Sequence, residues 1–184
     1  MRNHSNDAVA VQMLVQAWSQ LVNDGGTPVR YYKKKGEVNA DTSEVKKSLF
    51  TKEDFMLVMQ SAAQSEMLRE NPRILCVDAT HGITGYSFYL LSIVVIDRYG
   101  KGLVIGWAIT SRENLRTWEI LAKSLRESSL SAQPEVLMSD DDNSAWNGVS
   151  LIWKSLKHKL LCHWHIKQNI HKHCFGTKAK VQVM

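Results

Sequence analysis

Two aspartates stand directly after short apolar runs: Asp78 closes Ile74-Leu75-Cys76-Val77, and Asp140 closes Val136-Leu137-Met138-Ser139. Ligands of α/β sheets collect outside the carboxyl ends of strands, and neighbouring strands lie roughly 4.8 Å apart, so two such acids can share one divalent ion. Hard oxygen donors at that spacing suit Mg²⁺ or Mn²⁺, and acids that hold such ions can activate water and stabilise the leaving oxygen of a phosphodiester. An acid after a strand also caps the turn that follows, and spacing alone does not separate the two readings. Asp97 opens a hairpin with Gly100 and Gly102, so turn chemistry accounts for it. Asp140-Asp141-Asp142 is no calcium loop, because Ala145 and Leu151 stand where such a loop needs a glycine and its closing acid.

A second constellation lies downstream, where five of the seven histidines fall between His158 and His173, beside Cys162 and Cys174. Imidazole and thiolate suit Zn²⁺, and on one helix Cys162, His165 and His173 project to roughly one side. A closed site wants four ligands and the usual paired Cys-x-x-Cys half is absent, so a structural Zn²⁺ is the weaker reading. The plainer one is a basic helical face, with His163, His171 and His173 beside Lys167 and Lys172, able to lie against phosphates.

The elements that must position these residues follow from periodicity. Val11, Leu14, Val15, Trp18, Leu21 and Val22 predict a first helix capped at Asn6 or Asp7 and stopped at Gly25-Gly26. Residues 27–48, with the run Lys33-Lys34-Lys35, show no period and read as a linker or an edge element; the lysines are a solvated run, a second basic contact or an import signal. A second helix is expected from Thr51, supported by Asp54, with Phe55, Val58, Met59, Ala62 and Met67 on one face. Strands follow at Ile74–Asp78, Tyr86–Ile96 and Leu103–Thr110, then a helix over about Glu113–Ser128. A strand Val136–Ser139, a helix over about Asn143–Leu156, a strand Lys159–Cys162 and a last helix complete the order. This βββαβαβα order predicts a mixed five-stranded α/β sheet with flanking helices, of ribonuclease H-like type.

Composition bounds the class. A chain of 184 residues at 44% hydrophobic content can bury one sizeable core. A net charge of +5 and a pI near 9.1 are compatible with a polyanionic partner. Three cysteines are too few for a disulfide framework, and no secretory signal is visible, so an intracellular, non-secreted protein is expected. The most apolar run, Phe88 to Ile96, is far shorter than the roughly 20 residues that span a bilayer.

Cys76-Val77-Asp78-Ala79-Thr80-His81-Gly82, Leu137-Met138-Ser139-Asp140-Asp141 and Leu161-Cys162-His163-Trp164-His165 together resemble the catalytic core of Mutator-like (MULE) transposases of the DDE superfamily. In that family one acid stands in an Asp-Ala-Thr context on the first strand, another in a Thr/Ser-Asp context on the fourth, and Cys-x-x-His follows the fifth. The resemblance implies Asp78 and Asp140 as catalytic, Mg²⁺- or Mn²⁺-binding acids. It sets Cys162 and His165 near them without a fixed role, with His81, Lys167 and Lys172 as candidate DNA contacts. Transposon-end DNA is the implied partner, the nucleus the implied location, and a homo-oligomer is compatible with it. The family's third acid, usually Glu, lies on a later helix, whereas no Asp or Glu follows Asp142 here. The expectation is therefore a C-terminally truncated core at 51–174, after an N-terminal helix and basic linker at 1–50 and before a tail at 175–184, without independent cleavage. The alternative is a domesticated, non-enzymatic DNA- or protein-binding module.

Overall fold

The computed structural model describes residues 6–20, 27–38, 48–82, 85 and 87–175. Its elements run α1 (Asp7–Ser19), β1 (Val29–Lys33), β2 (Met56–Met59), α2 (Ala62–Glu70), β3 (Ile74–His81), β4 (Tyr89–Ile96), β5 (Gly102–Thr110), α3 (Leu115–Glu127), β6 (Val136–Ser139), α4 (Asn143–Ile152), β7 (His158–Leu161) and α5 (His163–Phe175). The strands form one mixed seven-stranded sheet in the order β1-β2-β5-β4-β3-β6-β7. The pairs from β1 through β3 are antiparallel, whereas β3/β6 and β6/β7 are parallel. Two strands thus join the five expected. The Gly25-Gly26 stop and residues 176–184 of the expected tail lie outside the described residues.

Strand alternation decides which side chains face the main core. Leu75 pairs with Val95, Val77 with Ile93 and Ala79 with Leu91, while Leu137 stands beside Leu75. This row packs against Trp118, Leu121 and Leu125 of α3 and Val149 of α4, with Trp153 just after it. The two helices touch closely at Gly148, where a Cβ would come within 2.4 Å of the Leu115 carbonyl oxygen and 2.7 Å of the Trp118 Cβ. A smaller apolar cluster forms on the opposite face at the other end of the sheet, where Val11, Val15 and Trp18 of α1 meet Leu57, Met59, Tyr32 and Trp107.

The helix expected from Thr51 is corrected by the structure. Thr51 does make the anticipated capping contact, its N–H donating to Asp54 Oδ2 at 2.7 Å, but the chain then extends as β2. Met56-Leu57-Val58-Met59 is buried on both faces, Met56 and Val58 in the main core and Leu57 and Met59 in the smaller cluster. A strand apolar on both sides has no period of two, so periodicity cannot tell it from a helix turn. The helix begins instead at Ser61, whose capping box with Gln64 is complete.

Residues 27–48 supply an edge strand, β1. Lys33 is no solvated cation there: it is 3% exposed, and its ammonium donates to the carbonyls of Asp54 at 2.6 Å and Lys52 at 3.2 Å. It therefore offers no external basic contact, which corrects the reading of the whole run as solvent-facing.

Candidate functional site

The acid pair is set by register. Cys76 pairs with Met138 across the parallel β3/β6 ladder, and Met138 with Leu160 across β6/β7. Two residues further along each strand, Asp78, Asp140 and Cys162 therefore come abreast on one end of the sheet. The Cys162 N–H donates to the Ser139 carbonyl at 2.7 Å, which ties the end of β7 to the end of β6 just before Asp140.

Local bonding orients each member. Asp78 has a side chain 53% exposed and accepts from the Thr80 hydroxyl at 3.2 Å. Asp140 Oδ1 accepts from the Asp142 N–H at 3.2 Å, and Asp142 caps α4 by accepting from the Ser144 N–H. That backbone bond is the main reason the Asp142 carboxyl lies below its ordinary range. Of the three consecutive acids, Asp142 is thus committed to the helix, while Asp140 stays at the strand end.

The first turn of α5 brings His165 to the pair, its Nε2 at 3.6 Å from Asp78 Oδ1, while Nδ1 is buried without a hydrogen-bond partner among the described residues. Cys76, Val77, Asp78, Val94, Met138, Cys162, Trp164 and His165 line a cleft of about 320 Å³ there. Burial pushes the Cys76 thiol up, and the neighbouring Cys162 adds to this.

The other candidates scatter. His81 lies at the end of β3 on the face opposite Asp78, its ring 4.7 Å from that of Tyr89. Lys172 follows His165 by seven residues, which is two helical turns and the same side of α5; Lys167 points away, and both are exposed. His173 lies eight residues beyond His165, and among the described residues no three His, Cys, Asp or Glu side chains are gathered as a metal-binding group.

One residue that sequence reading passed over lies within electrostatic reach of the acids. Glu113 follows β5 and precedes Asn114, the N-cap of α3. Burial raises the Glu113 carboxyl above its ordinary range, the Trp118 indole N–H at 3.3 Å opposes this, and the charges of Asp142, Asp140 and Asp78 raise it further. The loop carrying it is pinned on both sides. Arg112 Nε donates to Asp54 Oδ1 at 3.1 Å, the Ser111 hydroxyl to the same oxygen at 3.2 Å, and the Asn114 amide to the Leu49 carbonyl at 2.7 Å. A signal was present: β5, antiparallel to β4 as β3 is, runs in the direction of β3, so an acid soon after Thr110 arrives at the same sheet end as Asp78.

An acid pair abreast at parallel strand ends and a following Cys-x-x-His segment agree with what comparison with known families finds. No curated protein matches the chain significantly. Among the described residues no helix is long and apolar enough to cross a membrane. The MULE transposase domain matches residues 74–169, just over half of the chain, spanning Asp78, Glu113, Asp140, Cys162 and His165, and the chain belongs to that transposase family.

Proposed function

We propose that this chain holds a DNA phosphodiester against Asp78 and Asp140 as the acid-bearing part of a transposase core, with Glu113 as a further carboxylate of the same site. The observation that carries this reading is the parallel β3/β6 register, which sets Asp78 and Asp140 abreast. The order of β3 to β7 within the sheet, with β3 central and β4, β5 on one side and β6, β7 on the other, supports a ribonuclease H-like core.

The donors are all oxygen, which fits Mg²⁺ or Mn²⁺ and not Zn²⁺. Mg²⁺ ordinarily takes one or two carboxylates and fills its other positions with water and substrate phosphate, so the absence of a three-residue cluster among the described residues does not conflict with the fit. When bound, such an ion would polarise the phosphate and lower the pKa of attacking water. The protein's part is orientation. Thr80 holds one oxygen of Asp78, His165 stands 3.6 Å from the other, and Trp118 donates to the Glu113 carboxyl. Lys172, along α5 from His165, would meet the DNA backbone, and Lys167 and His81 could do so only from other sides.

One observation favours the domesticated, non-enzymatic module instead: with no three-ligand group gathered, an ion would depend on the DNA for much of its shell. Calorimetric titration of Mn²⁺ into wild type, Asp78→Asn and Asp140→Asn, with supercoiled plasmid nicking assayed on the same samples, separates the two. Mn²⁺ binding is expected to be lost with either acid, and any cleavage that wild type shows should fall at least a hundredfold with each replacement. Absence of Mn²⁺ binding and nicking in wild type, with DNA binding intact, would establish the non-enzymatic module.

A further inference from the structure

Resting on that reading, the geometry points to a base pocket: we propose that the cleft under Trp164 receives one unpaired nucleobase of the strand whose phosphate lies at Asp78 and Asp140. Trp164 is 61% exposed, in contrast to Trp118 and Trp153, each 1% exposed in the core. It stands in the first turn of α5, which the Cys162 N–H anchors to β6 and the Ile166 N–H closes onto the Cys162 carbonyl. Its ring meets the edge of the His165 imidazole at 4.9 Å between centroids and 85° between planes, so an aromatic corner stands open beside the acid pair.

The cleft suits a flat heterocycle better than a phosphate or a sugar. Its floor is Cys76, Val94 and Met138, which lie in one row because Val94 pairs with Cys76 and Cys76 with Met138. An apolar row accepts the face of a base, and the Trp164 indole in the same lining offers a second stacking surface. The charged and strongly hydrogen-bonding groups of the lining are the Asp78 carboxylate and the His165 imidazole, which can meet the edge of a base. A volume of about 320 Å³ is at the small end for a ligand site, so it has room for one heterocycle and not for a base pair.

Charge places the backbone outside the cleft. Helix α5 bears no acid and carries Lys172 on the same side as His165, so phosphates are attracted along the helix while the Asp78 carboxylate in the lining repels them from the cleft. A base still paired in a duplex has both faces covered by its neighbours and cannot enter. The occupant is therefore an end, a flap or a mismatched nucleotide next to the phosphate held by the acids.

The test uses fluorescence anisotropy at fixed salt with two duplexes of one sequence, in which a 2-aminopurine is either paired or placed opposite an abasic site. Wild type should bind the unpaired form roughly tenfold more tightly and quench its fluorescence. Trp164→Ala should lose the preference and the quenching yet bind the paired duplex as wild type does, and Trp164→Phe should keep most of both. Equal affinity of wild type for the two duplexes, or a preference that survives in Trp164→Ala, overturns the pocket and leaves the DNA reading standing. A lowered melting temperature in Trp164→Ala and Trp164→Phe alike, with the preference intact, assigns the indole to covering the sheet. No binding to either duplex overturns the pocket together with the DNA reading on which it rests.

Discussion

The two faces of the sheet are built on different terms. On one, α3 and α4 close over Leu75, Ile93, Val95 and Leu137, all fully buried, and approach each other so tightly that Gly148 admits no Cβ. On the other, the row that runs through Val94, Cys76 and Met138 ends at Val104 and Leu160, each 45% exposed, and the first turn of α5 brings His165 to Asp78. Folding free energy is concentrated where apolar area is removed from water, and chemistry sits where side chains remain accessible to a substrate. Substitutions on the packed face should therefore change stability without altering the site, and substitutions at the acids should do the reverse.

The largest expected stability effect is on the packed face. Trp153 is 1% exposed at the end of α4 and belongs to the main core. Trp153→Ala removes a large buried ring and leaves a cavity, at a cost of about 3–5 kcal/mol. Urea denaturation should show the midpoint falling by that cost divided by the slope, with the slope itself unchanged. Asp78→Asn, in a side chain already 53% exposed, should leave the midpoint almost where it was. A comparable loss in both variants would mean that the two faces are not energetically distinct.

A smaller, pH-dependent effect joins the faces through Asp54. Burial pushes its carboxyl up, but the bonds from the Thr51 N–H and hydroxyl and the Arg112 guanidinium outweigh this and hold it below its ordinary range. A carboxylate depressed in the folded state contributes stability above its unfolded pKa, about 4, and that contribution is lost as pH falls through the folded value. Wild type should therefore exceed Asp54→Asn in melting temperature by a constant margin above about pH 5, the margin shrinking below pH 4. Because Asp54 anchors Ser111 and Arg112, the variant should also loosen the loop that carries Glu113 and weaken Mn²⁺ binding. A margin independent of pH would show that shape, and not ionisation, makes Asp54 useful.

How much of this was legible in the sequence depends on how local the cause is. The Ile74–Asp78 and Val136–Ser139 strands and the order of elements from residue 74 onward follow from short-range pattern, and the structure has them. The acids Asp78 and Asp140 were visible as ends of apolar runs, although their alignment rests on a ladder between residues sixty apart. What was missed needed tertiary knowledge. β2 hides its period because α1 buries one side and the main core the other, and Lys33 looks solvated until its three carbonyl neighbours are known. Glu113 looks like an ordinary acid at a helix start until the direction of β5 brings it to the sheet end that carries Asp78.

The smallest expected effect separates the faces most sharply, because it changes sign. At neutral pH the Glu113 carboxylate is partly desolvated and faces the charges of Asp142, Asp140 and Asp78, so its ionised form opposes folding. A group raised in the folded state contributes stability below its unfolded pKa, about 4.3, and loses it as pH rises through the folded value. Glu113→Gln keeps an oxygen for the Trp118 indole N–H and removes the charge, so it should be slightly more stable than wild type at pH 7, by less than about 1 kcal/mol, and equally stable at pH 4. Millimolar Mn²⁺ should reverse the order, since a ligand stabilises the folded state in proportion to its affinity and wild type has the extra carboxylate to offer. If Glu113→Gln is the more stable protein both with and without Mn²⁺, Glu113 is a strained neighbour of the acid pair and not part of its ion-binding set.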